Sequence, residues 1–241
     1  MKGFFQSLFK IFILIALTSF GVHGQLVQLG STESFETDGN GSRYTSGEFD
    51  DVDAEDEHFF LRLQDGSTKL YANMSGEDGS FYWVMGKLDV GANPNNPVGI
   101  MELDPIDITG FGDLEVRMLL GSTQPDQYEN GDYLEVYASI DGGADILIGN
   151  FEQNSGNGRL RQDTDLNGDD NGGAPELTAT FQSFTFPVPG NGSSLVVKIE
   201  GTNNSGSGRE QTTFDNIQVF GQQVLSAGAL ATPTSVSSLE T

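Results

Sequence analysis

The stretch Tyr133-Leu134-Glu135-Val136-Tyr137-Ala138-Ser139-Ile140 decides the fold class. Its aliphatic residues occupy every second position, and polar or aromatic residues occupy the positions between them. Because successive side chains of a strand point to opposite faces, this period of two predicts a β-strand with one buried face. Asp141-Gly142-Gly143 is typical of a tight turn, and the following segment Asp145–Phe151 completes a predicted hairpin.

Short alternating segments recur along the chain between clusters of Gly, Asn, Asp and Ser. No segment after residue 24 keeps an apolar period of 3.6, so an antiparallel β-sandwich of jelly-roll type is predicted for residues 25–221. Residues 222–241 lose the aromatics and predict a disordered tail or a linker to a further C-terminal domain. The other predicted strands are Phe59–Leu63, Ser80–Met85, Asp113–Leu120, Thr180–Phe186, Leu195–Glu200 and Thr213–Phe220.

Residues 1–24 are typical of a cleaved secretory signal peptide. Lys2 and Lys10 supply positive charge, residues 11–17 form a short apolar run, and small residues precede a cleavage point before Gln25. The run is shorter than the roughly 20 residues that span a bilayer, so we expect export without stable membrane insertion. The protein is then secreted or at the cell surface; an uncleaved N-terminal anchor is the alternative.

The composition argues against several classes of protein. Residues 1–24 hold two of the 11 basic residues and none of the 35 acidic ones, so cleavage changes the formal net charge from −24 to −26. Such a surface repels nucleic-acid phosphates and favours cations. The chain has no cysteine, and His58 is the single histidine after residue 24. A multi-histidine zinc site is therefore excluded, and the domain must be held by its core, by bound metal, or by both.

Two short strings at opposite ends of the strand pattern indicate a bound cation. Glu36 follows Phe35 near the start of the domain, and Asp215 follows Phe214 near its end. First and last strands usually lie close together, so the two carboxylates are expected to meet, and like charges at short range are stabilised by a cation between them. We predict a structural calcium ion there, with Asp56 as a further ligand. The alternative is that Asp215 caps a turn while Glu36 is merely exposed.

A loop rich in Asp and Asn is a second candidate calcium site. Asp163, Asp165 and Asn167 stand at positions one, three and five of an EF-hand-like loop, followed by the turn glycine and Asp169. Position twelve is Ala174, where such a loop requires a bidentate Glu, and no helix pattern flanks it. A whole EF-hand is therefore excluded, while a calcium-binding surface loop and a solvated Asx-rich turn both stay open.

The outward positions of the 133–140 strand are a candidate binding surface. Tyr133, Glu135 and Tyr137 share one side, and aromatic rings flanked by polar groups can stack on sugars. Arg117, on the outward face of its own predicted strand, is expected opposite Glu135. The pair Tyr82-Trp83 offers another aromatic surface. Ordinary strand preference and core packing are the alternatives for these aromatics.

Catalysis is the rival reading. Glu102-Leu103-Asp104 places two carboxylates on alternate positions of a possible strand, as in glucanases with a sandwich fold. The string lacks a further acidic residue and the aromatic context of those enzymes. The sequence therefore favours a non-catalytic module that binds a polysaccharide or cell-surface glycan over a glycoside hydrolase or a purely structural adhesin module.

The chain also resembles secreted bacterial jelly-roll modules of the calcium-stabilised carbohydrate-binding and galactose-binding-like superfamily. The resemblance covers residues 26–221 and implies that Glu36 and Asp215 bind a structural calcium ion. Relatives accompany catalytic domains, repeat adhesins or secretion signals, and the family implies no single ligand. The segments that carry it are Glu33–Thr37, Gly41–Tyr44, His58–Arg62, Thr178–Phe186 and Phe214–Ile217.

Overall fold

The computed structural model describes residues 24–51, 58–88, 98–154, 158–168, 173–203 and 210–224. Within these ranges the protein has fourteen strands, joined by turns and loops, and no helix. Within these ranges no helix is long and apolar enough to cross a membrane. The strands are β1 (Leu26–Glu33), β2 (Tyr44–Ser46), β3 (Phe49–Asp51), β4 (His58–Gln64), β5 (Phe81–Gly86), β6 (Gly99–Leu103), β7 (Ile106–Asp107), β8 (Phe111–Ser122), β9 (Tyr133–Ile140), β10 (Ile146–Glu152), β11 (Arg161–Asp163), β12 (Gln182–Val188), β13 (Ser194–Thr202) and β14 (Gln211–Gln223).

The strands form two seven-stranded antiparallel sheets that enclose the main core. The first sheet has the order β12-β8-β14-β5-β4-β3, with β1 paired to β14. The second has the order β11-β10-β9-β13-β6-β2, with β7 paired to β13. The predicted jelly-roll sandwich is confirmed, and so is the adjacency of its first and last strands.

The alternation in β9 places its side chains as predicted. Leu134, Val136 and Ala138 are fully buried between the sheets, whereas Tyr133 and Tyr137 on the other face are half-buried. Large aromatic rings pack against one another in the same core, and their edge-to-face and tilted contacts add to the apolar burial. These rings are Phe35, Tyr44, Phe60, Trp83 and Phe214.

Strand β14 contains a bulge that changes which of its residues face the core. Phe214 and Ile217 are both buried in the main core, although an unbroken alternation would put them on opposite faces. Asp215 pairs with Leu119 of β8, and Gln218 pairs with Arg117, so β14 has one extra residue here. The bulge therefore lies between Asp215 and Gln218, directly after Asp215.

A long loop, residues 65–80, packs over the outer face of the first sheet and is here termed the cover loop. Its Met74 joins a second apolar cluster with residues of β4 and β5 such as Leu61 and Val84. Gln211 fastens the loop, because its side-chain amide donates to the Lys69 carbonyl at 2.6 Å and accepts the Tyr71 N–H at 3.1 Å. Tyr82 belongs to this cluster and Trp83 to the main core, both fully buried, so neither forms an exposed aromatic surface.

Strand β14 is the last strand among the described residues. It ends at Gln223, and Gln222 and Gln223 pair with residues at the start of β8. The domain limits of 25–221 stay a prediction, and most of the predicted signal peptide (1–24) and of the predicted tail (222–241) lies outside the described residues.

Candidate functional site

The ends of β1 and β14 bring the two Phe-acid strings together. The rings of Phe35 and Phe214 are fully buried, with centroids 5.8 Å apart in edge-to-face contact. Phe35 has a φ of 58° and Asn216 a φ of 49°, so each string turns through a left-handed residue. These turns let both rings enter the core while Glu36 and Asp215 leave it beside the same segment of the cover loop.

Backbone amides of the cover loop and of the first residue after it hold both carboxylates. The Asp78 N–H donates to Asp215 Oδ2 at 2.7 Å, and the Ser80 and Phe81 N–H groups donate to Glu36 Oε1 at 2.8 Å. Gly79, with a φ of 89°, lies against Glu36, since a Cβ at this position would be 2.3 Å from the Glu36 carboxyl carbon. We call Glu36, Asp215 and residues 77–81 the clasp.

The two carboxylates of the clasp differ in environment. Asp215 is fully buried, whereas Glu36 is an exposed residue. Burial raises the pKa of Asp215 to about 7, and the negative charges of Asp78 and Glu36 act in the same direction, against hydrogen bonds from the Asp78 and Asn216 amides. Ionised Asp215 is thus destabilised by its surroundings, which is the condition that a bound cation relieves.

Two residues next to Asp78 and Asp215 in the chain have side-chain oxygens that lack donors among the described residues. Glu77 Oε2 and Asn216 Oδ1 are buried without a hydrogen-bond partner. Calcium takes six to eight oxygen ligands, from carboxylates, amide groups and backbone carbonyls, so the chemistry of these residues fits calcium. Within the described residues no three acidic or histidine side chains converge as a metal group by themselves. Asp56, the third predicted ligand, lies outside the described residues.

In the described part of the 163–169 loop, Asp163 is engaged by the amides of its own turn. Asp163 Oδ1 accepts the Asp165 and Leu166 N–H groups at 3.2 and 2.8 Å, and Oδ2 accepts the Gly168 N–H at 2.8 Å. Burial alone would raise the pKa of Asp163, but these hydrogen bonds outweigh it and lower the pKa. Asn167 Nδ2 donates to Asp165 Oδ2 at 3.0 Å. The geometry is that of an Asx-type turn; Asp169 lies outside the described residues.

The outward side chains of β9 and β13 form a continuous polar and aromatic surface. The register puts Glu200 opposite Glu135 and Lys198 opposite Tyr137. Tyr137 OH donates to Glu135 Oε2 at 2.6 Å, and Tyr133 OH donates to Glu200 Oε1 at 3.3 Å. We call this surface, on the side of the second sheet away from the core, the outer face.

Lys198 ties the centre of the outer face together. Its ammonium lies 2.7 Å from Asp145 Oδ2, 3.3 Å from Glu200 Oε2 and 4.3 Å from the centroid of the Tyr137 ring. Burial and the neighbouring Glu135 raise the pKa of Tyr137, so its hydroxyl stays protonated and able to donate at neutral pH. The Lys198 ammonium thus lies over one face of the Tyr137 ring.

The predicted place of Arg117 is wrong. Arg117 lies on β8 in the first sheet, where it pairs with Glu115 and lies 4.3 Å from the centroid of the Phe220 ring. Strand β9 pairs with β10 and β13, so Glu135 and Arg117 are on the outer surfaces of different sheets. The position opposite Glu135 belongs instead to Glu200 on one side and Asn150 on the other.

Most neighbours of β9 could not be predicted from the sequence. Lys198 and Glu200 occupy alternate positions of a predicted strand, but only strand pairing shows which side chains they meet. Asn150 and Glu152 of β10 lie opposite Glu135 and Tyr133. The alternation of Phe151 with its polar neighbours was a signal that these two residues face outward.

The two carboxylates considered for hydrolysis separate in the fold. Glu102 is exposed on the outer face, opposite Lys198. Asp104 follows the end of β6 and lines a groove of about 320 Å³ with Pro105 and Ile106, and Glu102 does not line that groove. The geometry gives no support to a shared catalytic cleft for this pair.

Comparison with known proteins finds only likenesses of low similarity. No protein-family model matches it, and no characterised protein matches it in sequence. Among solved structures it is similar to a cleaved adhesin domain of Lys-gingipain from Porphyromonas gingivalis w83, with 13% identity over 80% of this chain and 99% of the other and a TM-score of 0.43.

Two further solved structures show weaker likeness. One is a family 43 arabinoxylan arabinofuranohydrolase from Bacillus subtilis in complex with cellotetraose, with 16% identity over 68% of this chain and 24% of the other and a TM-score of 0.34. The other is a carbohydrate-binding module of promiscuous specificity from the β-sandwich superfamily, with 14% identity over 79% of this chain and 61% of the other and a TM-score of 0.34. At these scores the likenesses carry no argument about function.

Proposed function

We propose that this chain is an exported, non-catalytic module whose outer face binds a polysaccharide or cell-surface glycan. The observation that supports this most is the aligned set of half-exposed Tyr, Glu and Lys side chains on β9 and β13. Tyr133 and Tyr137 offer ring surface for stacking, and Glu135, Glu200 and Lys198 offer hydrogen bonds to sugar hydroxyls. Hydrogen bonds to charged partners are the stronger kind, which suits a hydroxyl-rich ligand.

Electrostatics narrows the class of partner further. The chain carries a formal net charge of −24, which disfavours nucleic acid and anionic lipid surfaces.

The glycan-binding proposal is tested with Tyr137→Ala. Losing an aromatic contact at a binding face is expected to lower affinity roughly tenfold. The free energy of unfolding should change by no more than about 1 kcal/mol, because the ring is half-exposed. A glycan array identifies a ligand, and calorimetry compares the affinities.

Arg117→Ala is the matched control, since Arg117 is also a half-buried, outward-facing strand residue but belongs to the other sheet. It should leave affinity unchanged. Equal affinity of Tyr137→Ala and the parent would place the binding surface elsewhere. Release of reducing sugars by the parent would favour a glycoside hydrolase, and absence of any glycan binding would favour a structural adhesin module.

We further propose that the clasp binds a structural calcium ion. Glu36 and Asp215 would supply carboxylate oxygens, and Glu77 and Asn216, which neighbour Asp78 and Asp215 in the chain, have side-chain oxygens without a partner in the described residues. A bound ion would offset the repulsion between the buried carboxylate and its acidic neighbours. It would also join the segment after β1 and the start of β14 to the cover loop.

Thermal unfolding with calcium and with a chelator tests the clasp. A ligand present at 100 times its dissociation constant stabilises by about 2.7 kcal/mol, so the midpoint should rise by several degrees with calcium. Asp215→Asn should abolish the increase. Asp163→Asn is the comparison: if this variant loses the calcium response while Asp215→Asn keeps it, the ion binds the 163–169 loop instead.

A further inference from the structure

We infer that Asn150 and Glu152, on β10, form a hydrogen-bond-accepting subsite of the outer face that selects glycans without acidic groups. This inference rests on the proposed glycan binding and names the ligand class of that surface. Both residues lie on β10, beside the tyrosine, glutamate and lysine side chains of β9 and β13.

Asn150 is the first observation. Only 4% of this residue is exposed, and its side-chain Oδ1 is buried with no hydrogen-bond partner among the described residues. Strand register puts Asn150 opposite Glu135 on one side and Asp163 on the other. Neither neighbour donates to it: the ionised forms of both only accept hydrogen bonds, and Asp163 already accepts three backbone amides.

Glu152 is the second observation. It lies two residues along β10 on the same side, opposite Tyr133 on β9 and Arg161 on β11. Arg161 Nε is bonded to Glu176, and Glu152 Oε1 is also buried without a partner in the described part of the chain. The Tyr133 hydroxyl donates to Glu200 rather than to Glu152. Two buried acceptors without donors therefore stand side by side along one edge of the Tyr133–Tyr137 row.

Unmet acceptors of this kind destabilise a fold unless a donor reaches them, and a ligand hydroxyl is such a donor. The charges around them decide which ligand is admitted. Four glutamates share the outer face by register, and the nearby cations are already engaged: Lys198 by two carboxylates, and Arg161, opposite Glu152, by Glu176. A uronate or sulfate group would meet repulsion here, whereas the hydroxyls of a neutral polymer would find acceptors. The four are Glu102, Glu135, Glu152 and Glu200.

The test is Asn150→Leu, which removes the acceptor with little change of volume. The probes are three neutral polymers (a β-glucan, a galactomannan and an unsubstituted xylan) and one acidic polymer, polygalacturonate, each measured by affinity electrophoresis and calorimetry. We expect the parent to bind at least one neutral polymer and not polygalacturonate. Asn150→Leu should weaken that binding about tenfold, while its unfolding midpoint stays level or rises.

Gln182→Leu is the matched control. Gln182 Oε1, on β12 in the first sheet, is likewise buried without a partner in the described residues, so its removal should also keep or raise stability. Glycan affinity should not change, because Gln182 is not on the outer face.

Each outcome separates the two proposals. Binding of polygalacturonate as tightly as the neutral polymers would overturn the selectivity and leave glycan binding intact. Failure to bind any polymer would overturn the proposed function itself. If Asn150→Leu unfolds more easily but binds as well as the parent, Asn150 is satisfied by a trapped water and the subsite is wrong.

Discussion

The clasp and the outer face are both acidic, yet they treat their carboxylates in opposite ways. At the clasp, Asp215 is buried beside other acidic groups and is held by backbone amides, and no cationic side chain of the described residues is bonded to it. On the outer face, Glu135 and Glu200 are half-buried, and tyrosine hydroxyls and Lys198 are their partners. Amides fix the direction of a carboxylate without neutralising it, whereas an ammonium does neutralise it.

The difference indicates different tasks. A buried, directed and uncompensated carboxylate stores unfavourable energy that a cation can release, so occupation of the clasp is coupled to stability. A compensated and half-exposed carboxylate costs little in the free protein and can exchange hydrogen bonds with a ligand. We therefore expect changes at the clasp to alter unfolding and changes on the outer face to alter binding.

Leu134→Ala should give the largest effect on stability. It tests whether the core beneath the outer face can be weakened without changing glycan binding. Leu134 is fully buried directly between Tyr133 and Glu135. The cavity is expected to cost about 2–5 kcal/mol in the free energy of unfolding, measured by denaturant titration. Glycan affinity at a temperature where the variant is folded should stay close to that of the parent. Lost binding in a folded variant would show that the face and the core are not separable.

The pH dependence of the calcium-free protein should give the next effect. The pKa of Asp215 is raised to about 7 in the folded protein and is close to 3.9 when unfolded. The folded state therefore binds the proton more tightly, and this contribution is complete below about pH 4 and lost as the pH rises through 7. Stability in chelator should fall by on the order of 2–4 kcal/mol across that window.

Calcium should reverse this trend, because metal binding requires the ionised carboxylate. Asp215→Asn in chelator should show a flatter profile between pH 4 and 8 than the parent. A parent profile that is already flat in chelator would mean that Asp215 is ionised without penalty, and the comparison with the outer face would fail.

Gly79→Ala should give a smaller effect that is specific to the clasp. The residue has a φ of 89°, and the added Cβ would overlap the Glu36 carboxyl group. Gly66→Ala is the matched control in the same cover loop, with a φ of 77° and open space around the Cβ. Both variants should lose about 1–3 kcal/mol through backbone strain, and Gly79→Ala should also bind calcium more weakly in a titration. Equal calcium affinity would separate Gly79 from the ion.

Much of this architecture could be predicted from the chain alone, for a physical reason. The period of two in segments such as Tyr133–Ile140 is a local property, and burial of one face follows from it whatever the partner strand is. Strands with weaker alternation, β1 among them, were not recognised, since Leu26–Glu33 has polar residues on both faces and takes its place only by pairing with β14.

The meeting of Glu36 with the neighbourhood of Asp215 was also within reach of the sequence, because first and last strands of a sandwich tend to be neighbours. The contact of residues 77–81 with these carboxylates could not be predicted from the sequence. No local pattern tells which loop will lie between two carboxylates that are far apart in the chain. The bulge directly after Asp215 likewise arises only from the pairing of β14 with β8.

What the sequence determined by itself is the set of side chains that share a face, since alternation along one strand is fixed by covalent geometry. Which faces meet was decided only by the tertiary structure. Arg117 was correctly placed on an outward face but assigned to the wrong neighbour, and Asn150 was overlooked although it lies opposite Glu135. Strand order depends on long-range packing among all the segments, and no single segment carries that information.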